Sequence, residues 1–291
     1  MLSWSWKLLA CGLICSAGCA DRHAWQAEGW RPEAAPQRVV AGSVLAAESL
    51  LGVMPAGRLA GAHVFAANPD YSLVTELTGG VPLVGATPEQ LLSVAPDLVL
   101  VDAYTRAETF ALLGAAGVPV VRTRDPKGFE DIAANLRTIA RVTHLEEEME
   151  VVIDEMLERL HEVTKRGQAF GSWRLLSLDG ALHTYGAGSL FDAVVRASGA
   201  VNVASERGAG AFRKLDIEEV LAWRPDAIVL SGQPGQAAPD WIQQFPGLGL
   251  LPCVQQQRLL FVPGPLLSTT SHHLVAAAAL VQRQLQGWKA P

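Results

Sequence analysis

The chain has 291 residues, 49% of them apolar and 18% charged, with a net charge of −6. A domain typically takes roughly 100–200 residues, so the length fits two domains or one bilobal unit, and the apolar share supplies ample core. The acidic balance and the lack of any Lys/Arg-rich run exclude a nucleic-acid surface, because phosphate binding needs clustered cations.

Residues 1–19 read as a targeting segment. Lys7 is the one cationic side chain in MLSWSWKLLACGLICSAGC, and the apolar run Leu8–Ile14 is shorter than the ~20 residues of a membrane span. Ser16-Ala17-Gly18-Cys19 resembles a bacterial lipobox, in which Cys19 becomes the lipid-modified first residue; a plain secretory signal cut near Ala20 is the alternative. With Cys11 and Cys15 removed and Cys19 lipidated, Cys253 is left alone and no disulfide is expected. Residues 20–36, rich in Ala, Trp, Glu and Pro, have no period and read as a tether.

From residue 37 to 126 strand and helix signals alternate, as an N-terminal α/β lobe would. Val39–Ala41 is a short strand, and Ser43 can cap the helix that follows. RLAGAHVF and VPLVG are further strands. Thr87-Pro88-Glu89 opens a helix with a capping oxygen, a proline and a first-turn acid. DLVLV is a continuous apolar run, as for a parallel strand buried on both faces, and VPVV closes the lobe. Residues 127–167 carry no strand signal. FEDIAANLRTIARV is amphipathic, and a longer helix ending at Gly167 carries Leu145, Met149, Val152, Ile153, Met156, Leu160 and Val163 on one stripe. At ~1.5 Å per residue, about 20 residues reach ~30 Å, enough to cross both halves of the molecule. Residues 168–291 resume the alternation as a C-terminal lobe: WRLLSLDG, SLFDAVVRASG, AVNVA, RLLFVPG and a terminal helix from about His273 to Gln286.

One pattern occurs twice. TPEQLLSVAPDLVLVDA from Thr87 and DIEEVLAWRPDAIVLSG from Asp216 align at a constant offset, Glu89 over Glu218, Pro96 over Pro225 and Asp97 over Asp226. Each copy is a short helix, a Pro-Asp turn and a buried strand, placed equivalently in two similar lobes.

These segments, with PQRVVAGSVLAAESLLGV, YGAGSLFDAVVRASGAVNVA and LLPCVQQQRLLFVPG, resemble the periplasmic solute-binding proteins of ABC importers for cobalamin, ferric siderophores and heme. The resemblance runs from Arg38 to the C-terminus. It implies two parallel-sheet α/β lobes joined by a single long helix, a ligand cleft between them, and no enzymatic activity or cofactor. The cargo would be a small-molecule metal chelate delivered to an ABC permease and its ATPase by a monomer held to the membrane through Cys19. The resemblance also implies that Glu89 and Glu218 dock on permease arginines, although Glu219 could replace Glu218 and a first-turn acid also suits the helix dipole.

Ligand contacts should follow strand ends. Ser43, His63, Phe65, Tyr104, Arg106, Tyr185 and Gln233 meet that rule, and the PGPLLSTTSHH loop joins them; Tyr71, Phe212 and Arg213 lie in loops that reach the same space. Arg106, Arg213 and Lys214 would favour an anionic chelate if they face the cleft. A bare zinc or manganese site is disfavoured: His63, His183, His272 and His273 have no paired-ligand spacing such as H-x-H. The sequence lacks G-x-S-x-G, a P-loop and a strand-linked G-x-G-x-x-G. An extracytoplasmic enzyme or regulator on the same fold is the other reading.

Overall fold

The computed structural model describes residues 29–55, 57–168 and 173–288. The signal segment, Cys19 and most of the tether lie outside the described residues.

In chain order the first lobe contains β1 (Val39–Ala41), α1 (Val44–Leu50), β2 (Leu59–His63), β3 (Leu83–Val84), α2 (Pro88–Leu92), β4 (Leu98–Val101), α3 (Ala107–Ala115) and β5 (Val120–Arg122). Two helices follow, α4 (Phe129–Thr143) and α5 (Glu146–Gly167). The second lobe runs through β6 (Arg174–Ser177), β7 (His183–Thr184), α6 (Leu190–Ala197), β8 (Val201–Asn202), α7 (Val203–Glu206), β9 (Arg213–Lys214), α8 (Ile217–Trp223) and β10 (Ala227–Ser231). It ends with α9 (Trp241–Gln244), α10 (Pro252–Gln255), β11 (Leu259–Val262), α11 (Gly264–Ser268) and α12 (Leu274–Gln286).

The first sheet has the order β3-β2-β1-β4-β5 and the second β11-β10-β6-β8, both parallel throughout. In each, the chain reverses direction across the sheet beside its first strand: β1 is flanked by β2 and β4, and β6 by β8 and β10. Such a reversal opens a crevice at the carboxyl edge of the strands. An antiparallel ribbon, β7 with β9, stands beside the second sheet. AVNVA is a strand for two residues only, because the Asn202 side chain accepts from the Ala204 N–H and starts α7 at once. PGPLLSTTSHH is helical at its start, as α11.

The repeated motif turns out to be a self-bracing joint. Thr87 with Gln90, and Asp216 with Glu219, form capping boxes at equivalent places. Ala95 and Arg224 both adopt left-handed backbone, at φ 47° and 46°, where the chain turns into Pro-Asp. The Asp97 carboxylate then accepts from the N–H groups of Gln37 and Arg38 at 2.7 and 2.9 Å, and Asp226 accepts from the Arg174 N–H at 2.9 Å. The same arginines turn back on the helix ends: Arg38 donates to the carbonyls of Val94 and Ala95, and Arg174 to those of Trp223 and Arg224. Each joint thus ties a helix end to the start of the lobe's first strand.

Between the lobes, α4 ends on His144 in left-handed backbone and α5 continues for 22 residues. The stripe read from the sequence packs inward, with Leu145, Met149, Ile153, Met156 and Val163 buried. One apolar core runs from β1 and α1 through α4 and α5 into α6 and α12. Gly167 is the last residue of α5, and its backbone lies against Gly199. A Cβ there would come within 2.8 Å of the Gly199 nitrogen, so the close approach needs glycine. A shared core of this kind resists large domain swings.

Candidate functional site

A cavity of about 610 Å³ lies between the lobes, at the carboxyl ends of β4 and β5 in the first sheet and of β6 and β10 in the second. The first lobe contributes Tyr104 beyond β4 and Asp125, Pro126 and Lys127 beyond β5. The second contributes Leu178 and Asp179 beyond β6, His183 and Tyr185 at β7, the start of α6, and Phe212 just before β9. Leu267, Ser268 and Thr270 also line it.

Each wall carries a carboxylate that organises a ring. The Tyr104 hydroxyl donates to Asp125 at 2.6 Å, and Lys127 donates to the other Asp125 oxygen. The hydrogen bond, with some burial, pushes the Tyr104 phenol up to about 12, so it stays protonated. Asp125 is held below its ordinary value: burial pushes it up, but the bonds from Lys127 and Tyr104 outweigh that. Opposite, Asp179 accepts from the N–H groups of Ala181 and His183 at 2.8 and 2.9 Å and faces His183 Nδ1 at 2.9 Å. Burial's upward push on Asp179 is again outweighed, here by the His183 bonds, so its carboxylate is ionised. An ionised carboxylate only accepts, so His183 Nδ1 is the donor of this bond, and Nε2 is the ring nitrogen it leaves unused. Phe212 packs against both His183 and Tyr185, with ring centres 4.9 and 5.4 Å away and the planes tilted by 32° and 53°. Tyr104 is 70% exposed, and Tyr185 and Phe212 are about half exposed, so each ring still presents apolar area to solvent.

Of the residues picked from the sequence, Tyr104, Tyr185 and Phe212 are brought together here. Ser43 is not at the surface of the cavity: it is buried, and its hydroxyl accepts from the Ala46 N–H as the cap of α1. Arg106 flanks α3, and Arg213 pairs with Glu219 at 2.5 Å; neither lines the cavity, nor does exposed Gln233. His63, Phe65 and Tyr71 form their own stack on the first lobe, with Phe65 and Tyr71 parallel at 4.7 Å and His63 edge-on at 5.2 Å. Burial lowers the His63 pKa, against the pull of nearby Asp102, which follows β4 on the same sheet edge. Asp125, Lys127 and Asp179 were not picked, and His183 entered the sequence reading only as one of four histidines weighed as metal ligands. Asp125 and Asp179 obey the strand-end rule, but Asp-Pro and Asp-Gly read as turns.

Glu89 and Glu218 are both exposed, each in the first turn of its helix. Glu219 is already engaged, accepting from the Asp216 N–H and from Arg213.

The rings of His272 and His273 lie 3.9 Å apart, centre to centre, at a tilt of 42°, and His272 Nδ1 and His273 Nε2 are buried without a hydrogen-bond partner. Burial, helped by His273, pushes the His272 pKa from 6.5 to about 4. The unfolded chain therefore takes the proton first. Stability is complete above about pH 6.5 and falls as the pH drops toward 4, by on the order of 3 kcal/mol for this group. Urea unfolding from pH 7 to 4 should show the loss, and His272→Phe should flatten it relative to wild type. An identical pH slope in the two proteins would assign the effect elsewhere.

A two-lobed α/β protein with an open, aromatic-walled cleft over both strand edges is built to bind a ligand. The family described as periplasmic binding protein matches residues 40–266, and the chain belongs to it. Comparison with curated protein sequences finds no match. Among solved structures, the apo periplasmic heme-binding protein RhuT from Roseiflexus sp. RS-1 is similar at 22% identity and a TM-score of 0.75, over 86% of this chain and 98% of that one. The periplasmic heme-binding protein HutB of Vibrio cholerae is similar at 18% and 0.73, over 86% and 98%. The vitamin B12-binding protein BtuF of Vibrio cholerae is similar at 18% and 0.68, over 86% and 97%.

Proposed function

We propose that the chain is the extracytoplasmic substrate-binding component of an ABC importer, and that its cargo is a metal tetrapyrrole, heme foremost. The observation that carries this is the cleft wall formed by His183, Phe212 and Tyr185, an imidazole with a free Nε2 set beside two exposed aromatic faces. Aromatic faces suit a flat apolar macrocycle, and an imidazole oriented by a carboxylate suits its iron. The similarity to heme- and B12-binding structures supports the same class. Charge argues against a strongly anionic chelate: Lys127, the cation among the described lining residues, is tied to Asp125. Among the described residues no group of three His, Cys, Asp or Glu is arranged to hold a bare ion. On this reading Glu89 and Glu218 dock the permease, and Cys19 tethers the protein to the membrane.

An absorbance titration tests the ligand atom. Wild-type protein with hemin should give a saturable Soret change, and His183→Ala should shift the bound Soret maximum and weaken binding about tenfold, as loss of an axial ligand does. An unaltered bound spectrum in His183→Ala would remove His183 from the iron.

A further inference from the structure

Glu48 lies in the middle of α1, on the first lobe, and is 2% exposed. Its Oε1 accepts from the Leu73 N–H at 3.0 Å. Its Oε2 accepts from the Thr269 and Ser271 hydroxyls, both at 2.6 Å, and those hydroxyls lie 2.9 Å from each other. Thr269 and Ser271 are buried residues of the second lobe, in the stretch between α11 and α12. Thr270, between them, lines the cavity. A carboxylate of one lobe is thus gripped by two hydroxyls of the other, directly behind the cleft.

A buried carboxylate is costly unless hydrogen-bonded, and bonds to an ionised group are about twice as strong as neutral ones. Most of the shared core is an apolar cluster, and apolar contact is non-directional; a further buried polar tie, from Gln282 to the carbonyls of Val163 and Ser198, does not involve the first lobe. The Glu48 bonds are directional, so they fix how the lobes sit rather than merely that they touch. The Leu73 bond ties the loop carrying Tyr71 to the same carboxylate.

We propose that Glu48, Thr269 and Ser271 form an inter-lobe clasp that sets the resting opening of the cleft, which makes Glu48 a positioning residue for ligand capture. A cleft preset in this way loses less freedom when it binds. Weakening the clasp should act mainly on the rate of ligand escape. The inference rests on the cleft being the capture site, but its first readout needs no ligand.

Spin labels at Ala116→Cys and Arg207→Cys, exposed positions one on each lobe, report the inter-lobe distance in the ligand-free chain. Cys11, Cys15 and Cys19 are replaced by serine, and Cys253 is buried from the label. Glu48→Gln should shift and broaden the distance distribution, and should speed hemin dissociation about tenfold while association stays within about twofold. Thr269→Val with Ser271→Ala should do the same, and adding Glu48→Gln to that pair should change little more. An unmoved distribution overturns the clasp, even if Glu48→Gln lowers the melting temperature. Additive effects of the two sides overturn it too. Failure of hemin to bind any form would count against the ligand assignment, and the distances would still decide the clasp.

Discussion

Replacing Glu89 and Glu218 together by alanine should reduce ligand-dependent stimulation of the permease ATPase to near background and leave hemin affinity within about twofold, because exposed rim charges act on partner docking and its rate. The two acids stand in equivalent first turns, on α2 and α8. In a right-handed strand–helix–strand unit the amino end of the helix lies at the sheet edge that carries the strand carboxyl ends. Both acids therefore flank the edge where the cleft opens, and two equivalent patches suit a two-fold permease. Glu219→Ala should behave differently. Its carboxylate is spent on the capping box and Arg213, so its loss should cost about 1 kcal/mol of stability with docking retained. ATPase assays in reconstituted vesicles, paired with hemin titrations, separate these outcomes. Full stimulation by the double variant would reduce both acids to helix-dipole groups.

The second large effect belongs to the aromatic wall. Phe212→Ala with Tyr185→Ala should weaken hemin binding about a hundredfold, since each ring supplies buried apolar area and a stacking term of about 0.5–1.5 kcal/mol. The rings are open to solvent, so the substitutions leave no core cavity and stability should change little. Phe65→Ala with Tyr71→Ala tests the separate stack on the first lobe. Titration calorimetry on both pairs, with urea unfolding as the control, shows which stack meets the ligand. Loss of affinity only in the Phe65/Tyr71 pair would move the site to the other wall.

What could be read from the sequence follows the range of the forces involved. The strands and helices of both lobes rest on local period and caps, and the repeat exposed the equivalence of α2–β4 with α8–β10 before any contact was known. Tyr104 and Tyr185 were legible because they follow strands, and Phe212 because its loop was read as reaching the same space. Ser43, Arg106 and Gln233 satisfied the strand-end rule, and Arg213 the loop reading, but none lines the cavity, Ser43 being a cap and Arg213 held in an ion pair: short-range partners compete for such side chains. The β7–β9 ribbon pairs two residues with two across the intervening α6, β8 and α7, too few for any period to register. Glu48 looked like any acid on a short helix, and only the packing of a segment more than 200 residues away buries it.

The central claim is that the inter-lobe cleft binds a metal tetrapyrrole, and calorimetric titration of the purified chain against hemin, cyanocobalamin, a ferric hydroxamate and zinc ion tests it most directly. Saturable one-to-one binding of hemin or cyanocobalamin, lost in Phe212→Ala with Tyr185→Ala and absent with zinc, is the predicted result. Saturable binding of the ferric hydroxamate alone, or no binding of any of the four, would contradict it.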